Sequence, residues 1–203
     1  MIRLIILTIA LTANMAFAQS SFVSLPLPQN VSIELPKNWI VATENTRITA
    51  EAFAESLGGH KNTDLKFLAE SYDQQNHRIA NVNVVYLPNA PPLSQSELRA
   101  FTQSEFESNT KGLQGQINEV IKKVGGRLLS WEKPKRVEIN GVTLMELGYS
   151  TIVPSTGEGV FKVKMLHMFA GPKSFKLTIG YSVDRALVLE PITNHIINSL
   201  KQK

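Results

Sequence analysis

The chain has no cysteine among its 203 residues. That absence excludes a disulfide framework, a thiolate nucleophile, a cysteine-ligated zinc or iron–sulfur centre and a lipid-modified cysteine anchor. Neither sign of charge dominates: 21 Lys and Arg stand against 17 Asp and Glu. The excess is spread along the chain, whereas a nucleic-acid footprint needs a clustered basic face. No G-x-S-x-G stretch is present to raise a nucleophile on a sharp turn, and no G-x-x-x-x-G-K-[ST] loop to cradle phosphates. Gly157-Glu-Gly159 is a turn between strand periods instead. The longest apolar run, Leu4 to about Ala13, is shorter than the ~20 residues that cross a bilayer, and Thr8, Thr12 and Asn14 interrupt its neighbourhood.

What is present begins with an address. Arg3, the apolar run and then Ala16-Phe17-Ala18 before Gln19 form the pattern that a signal peptidase accepts. Residues 1–18 read as a signal peptide cleaved at Ala18/Gln19, which implies a periplasmic or secreted product. Residues 19–203 then form a single domain, long enough to bury one core without disulfides.

Strand and helix periods alternate along that domain. Val31 to Leu35 is apolar at every second position, stops at Pro36 and resumes at Trp39 to Ala42, as a kinked strand or two short ones. A short helix is predicted from about Thr46 to Leu57, with Ile48, Phe53 and Leu57 on one side and Gly58-Gly59 ending it. Lys66 to Tyr72 and Ile79 to Tyr86 form a hairpin through the polar DQQNHR. After Pro88-Asn-Ala-Pro-Pro92, Ser94 and Glu97 form a capping box. The apolar stripe from Leu98 to Val124 predicts one long helix whose weak points are Gly112 and Gly115, ending at Gly125-Gly126. The rest is an antiparallel meander: Arg127 to Glu132, Arg136 to Ile139, the Asn140-Gly141 turn, Val142 to Ile152, Val160 to Phe169 and Phe175 to Val183. A last helix follows Asp184-Arg185.

The order of these elements resembles the PsbP-like fold, shared by the photosystem II subunit PsbP, a Ran-binding nuclear import factor and the DcrB-type bacterial envelope proteins. The resemblance spans residues 22 to 201. It rests on Pro36 and Trp39, on Val84-Val85-Tyr86, on "VEINGVTLMELGYS", and on the Phe175-to-Tyr181 strand before Asn198-Ser-Leu200. It implies an α+β domain with a central antiparallel sheet flanked by helices on both faces, used to bind proteins or stabilise assemblies. Position 19 carries no cysteine, so the lipid anchor of some DcrB-type proteins does not carry over.

Four histidines are the candidates for chemistry. His60 and His77 fall in polar loops. His195 lies at the polar rim of the last helix's apolar arc, without a carboxylate or second histidine three or four residues away to serve metal binding or base catalysis. His167 lies mid-strand. Counting through ordinary turns puts Met165 and Phe169 on its face, with Leu147 and Thr178 across on the neighbours.

Two functional readings follow. In the first, an exported non-enzymatic module, needing neither cofactor nor metal, binds an unidentified protein partner through two loops. Pro88, Pro91 and Pro92 shape the first loop, and Gly157 and Gly159 shape the second, with Lys162, Lys164 and Lys173 nearby to favour an acidic partner. In the second, a small-ligand protein or hydrolase uses a face formed by Tyr149, His167 and Thr178.

Overall fold

The computed structural model describes residues 21–27, 30–56, 64–87, 93–154, 159–169 and 174–202. Its backbone is an eight-stranded antiparallel sheet assembled from the expected hairpins. These strands are β3 (Ile40–Val41), β4 (Asp64–Tyr72), β5 (Arg78–Leu87), β6 (Arg127–Trp131), β7 (Lys135–Ile139), β8 (Val142–Ile152), β9 (Val160–Met168) and β10 (Ser174–Ser182). They run in the order β3-β4-β5-β10-β9-β8-β6, with β7 also paired to β8. Asn140 (φ 49°) and Gly141 (φ 80°) adopt the left-handed geometry of a two-residue hairpin between Ile139 and Val142.

The two stretches on either side of Pro36 go to different sheets. β1 (Phe22–Leu27), β2 (Val31–Pro36) and β11 (Lys201–Gln202) form a second, three-stranded sheet, while β3 joins β4. The sequence reading assigned neither β1 nor β11. Together with the last helix, α5 (Ala186–Asn198), this small sheet covers one face of the large one. The core lies between them: Ile33 and Leu35 from β2, Leu189, Ile196 and Leu200 from the carboxy terminus, and Val82, Leu166, Leu177 and Ile179 from the large sheet. Burying each of these aliphatic side chains is worth about 1.5–3 kcal/mol before entropy is counted.

The opposite face carries the remaining helices. α1 (Glu44–Ser56) packs on β4. α2 (Gln95–Ala100) packs on β8, α3 (Gln103–Asn109) on β7 and α4 (Leu113–Lys123) on β6. The long helix expected from the apolar stripe is thus three helices. The unforeseen break lies at Thr102, which repeats the device seen at Ser94: its hydroxyl accepts from the Glu105 amide and the Glu105 carboxylate accepts from the Thr102 amide, 2.6 Å away. The second break is at Gly112, whose φ of 92° no helical residue shares. α4 ends in a Schellman pair, Gly126 N–H donating to Ile121 O and Gly125 N–H to Lys122 O, with Gly125 at φ 75°.

Candidate functional site

Strand register determines which side chains share the open face. His167 stands directly between Met145 of β8 and Lys176 of β10; Thr178 and Leu147 flank Met165, one pair further along. The expected neighbours of His167 are therefore displaced by two residues, because the turns joining these strands differ in length from those assumed. Tyr149 lies opposite Val163, a further pair away. The three candidate residues share a face, but in three successive rows.

Each has its own packing. The His167 ring stacks on Phe169, with centroids 4.1 Å apart, and its Nε2 is buried without a hydrogen-bond partner among the described residues. Burial, and then the Lys176 cation, push the His167 pKa down to about 4, so the ring is neutral at pH 7. Burial likewise lowers the pKa of Lys176. Tyr149 stacks against Trp131 with centroids 6.3 Å apart, and burial raises its hydroxyl to about 12. Among the described residues no carboxylate and no nucleophile is hydrogen-bonded to His167 Nε2, so the ring has neither the orienting group nor the acceptor that base catalysis uses.

The other histidines follow the sequence reading in part. His77 sits in the β4–β5 turn, where its amide and that of Gln75 donate to Asp73 Oδ1 at 2.8 and 3.0 Å. The His77 amide bond is the largest cause that lowers the Asp73 pKa. His195 is exposed, as expected, yet it has a carboxylate partner after all: its Nε2 lies 2.8 Å from Glu34 of β2, and its ring lies tilted against that of Phe22, with centroids 3.9 Å apart. A partner 161 residues distant lies beyond any local spacing rule. No group of three or more metal-ligating side chains occurs among the described residues.

Of the loop residues, Pro88, Pro91, Pro92, Gly157 and Lys173 lie outside the described residues, as do His60, Leu57 and the segment 1–18. The strand ends beside the two loops are placed, and they lie at opposite ends of the sheet. Leu87 pairs with Ser174 at one end, whereas Ile152 pairs with Val160, beside Phe161 and Ser182, at the other. Gly159 sits next to that second end, where an added Cβ would meet Ser182 Oγ at 3.5 Å. Lys162 and Lys164 turn toward α5: Lys162 Nζ lies 3.8 Å from Glu190, and Lys164 Nζ donates to Asn194 at 3.3 Å.

Two features escaped the sequence reading. At the same end as Gly159, the entry to α5 exposes Val183, Leu187 and Val188, and Leu187 is 92% exposed. On the open face, β5 alternates the core residues Ala80, Val82 and Val84 with Asn81 and Asn83. The two amides line a cleft of about 810 Å³ beneath α1. The visible signal was the repeat N-V-N inside an otherwise apolar strand.

No family model and no curated protein sequence matches the chain. Among solved structures, the chain is similar to cyanobacterial PsbP of Synechocystis, with a TM-score of 0.56 at 12% identity, over 95% of this chain and 99% of that one. Weaker similarities extend to LpqN of Mycobacterium tuberculosis, described as involved in cell envelope biogenesis (TM-score 0.42, 11% identity, 89% of this chain and 90% of that one). The Ran-binding protein Mog1p of Saccharomyces cerevisiae is comparable (TM-score 0.42, 7% identity, 90% of this chain and 95% of that one). The chain has the PsbP-like fold.

Proposed function

We propose that the protein is an exported, non-enzymatic module that acts in the periplasm or outside the cell by contact with a protein partner. One observation carries the reading. Leu187, Val183 and Val188 form an exposed apolar group on a rigid helix entry, beside the β8–β9 turn singled out in the sequence. A leucine presented almost wholly to water has no role in the fold of the isolated chain, and clustered exposed apolar residues mark interaction surfaces. The nearby cations are already engaged, Lys162 with Glu190 and Arg185 with Asp73 and Asp184, so the contact is apolar at its centre and only weakly sensitive to salt.

Export is supported by the amino-terminal pattern, which places the mature start at Gln19. No described helix is long and apolar enough to cross a membrane. Among the described residues His167 Nε2 is hydrogen-bonded to neither a base nor a nucleophile, which favours the non-enzymatic half of the reading. The test is affinity capture from envelope extract with the wild type and Leu187→Glu in parallel. A discrete protein retained by the wild type and lost with Leu187→Glu is the expected result. Identical captures from both would remove this surface from the account.

A further inference from the structure

A helix laid across a sheet ordinarily buries an apolar stripe against it, and α1 does not. None of its 13 residues is buried, and Ile48 and Phe53 are 56% and 59% exposed. It is held at the β4 edge by polar side chains, Arg47 donating to Lys66 O at 2.9 Å and Glu51 accepting from the Leu65 amide at 2.7 Å. Beneath it the sheet presents Asn81 and Asn83 among the aliphatic Leu65, Leu68 and Val85, and the space between is the 810 Å³ cleft. This volume falls in the ~300–1,000 Å³ range of small-ligand clefts. The layer has the form of a site, and its helix lacks the packing that tertiary stability normally supplies.

We propose that this cleft binds a short neutral oligosaccharide, independently of the contact surface at Leu187. The chemistry of the lining argues for that class. Each asparagine amide offers two donors and an acceptor, and neither Asn81 nor Asn83 has a side-chain partner among the described residues; a sugar hydroxyl, which both donates and accepts, complements such a group. Arg78 adds a buried Nε–H that has no acceptor among the described residues. Its charge is met by Glu70 at 2.8 Å, so among the described lining residues no cation is left over to select a phosphate or carboxylate ligand. Leu68 and Val85 on the floor and the Phe53 ring on the wall supply the apolar surface that the C–H face of a sugar ring needs. Gly180 belongs to the same construction: a Cβ there would come within 2.7 Å of Asn81 Oδ1, so its absence leaves room for the amide.

A peptide fits less well. β5 is paired on both edges, by β4 and β10, so it offers no ladder for strand addition. The cleft also has neither the continuous apolar groove that takes a helix nor an arginine cluster for a phosphopeptide.

Backbone amide shifts of the purified chain, followed by NMR during titration with maltotriose, tri-N-acetylchitotriose and mannotriose to about 10 mM, test the proposal, with an uncharged pentapeptide as comparison. At least one saccharide gives saturable shifts confined to α1, β4 and β5. The Asn81→Ala/Asn83→Ala double variant weakens that binding about tenfold or more, the loss expected when two hydrogen-bonding groups are removed. Phe53→Ser, at an exposed position, and Gly180→Ala, which displaces the Asn81 amide without deleting it, weaken it while leaving the thermal midpoint unchanged. The assignment is overturned if no saccharide shifts these amides, if the double variant binds as well as the wild type, or if only the peptide produces the shifts.

Discussion

Asn140 joins two parts of the molecule that the sequence treats as unrelated. It is the first residue of the β7–β8 turn, and its Nδ2 also donates to Asn198 O and Leu200 O, both at 2.8 Å, fixing the carbonyls that end α5. Replacing it with glycine keeps the positive φ and removes both bonds. At about 0.5–1.5 kcal/mol each, that change costs about 1–3 kcal/mol. Alanine loses the same bonds and in addition bears the left-handed backbone, which adds about 1 kcal/mol. Aspartate tolerates the backbone but sets a carboxylate against two carbonyl oxygens, so Asn140→Asp is expected to be less stable than Asn140→Gly. Urea denaturation, fitted as two states, measures the order wild type, glycine, then alanine and aspartate. Hydrogen exchange at Gln202, in the short strand paired with β2, accelerates in all three variants. An Asn140→Gly midpoint within about 0.5 kcal/mol of wild type, or an Asn140→Asp variant as stable as wild type, would refute this account of the turn.

Two glycines, one within α4 and one just after it, should respond with opposite signs. A Cβ at Gly126 would lie 2.5 Å from Ile152 O and 2.9 Å from Ile121 Cγ2, so Gly126→Ala is expected to destabilise by about 1–3 kcal/mol, whereas Gly115→Ala, with open space around it in α4, should stabilise by about 0.5–1 kcal/mol in the same urea experiment. His167 sets a pH dependence. Its pKa is depressed from 6.5 to about 4 by folding, so its unfolded form binds the proton first; stability is complete above about pH 6.5 and declines as pH falls toward 4. His167→Phe keeps the stacking on Phe169 and removes the titrating group, so its stability profile between pH 6.5 and 4 is flatter than that of the wild type, and parallel profiles would show that the ring is not desolvated.

How much of this was legible in the sequence depended on how local the cause was. The turn at Asn140-Gly141, the capping box at Ser94 and the stop at Gly125-Gly126 were readable because neighbouring residues determine them. The break at Thr102 was also local, but the apolar stripe running through it suggested continuity, and Thr102-x-x-Glu105 was passed over. The three-stranded sheet was not readable, since it brings Phe22–Leu27 and Lys201–Gln202 onto opposite edges of β2 and no short-range signal records that pairing. The face of His167 followed from strand alternation alone, whereas its neighbours required the register, which the turn lengths shifted by two. The cleft was missed because Asn81 and Asn83 acquire meaning only when a helix without a buried face is laid over them.

Under the proposed function the domain works by contact and performs no reaction at the His167 face. The most direct test assays the purified chain against panels of ester, phosphate and peptide substrates, with His167→Ala alongside. No turnover above background is expected in either protein. Turnover by the wild type that vanishes in His167→Ala would contradict it and identify that face as an active site.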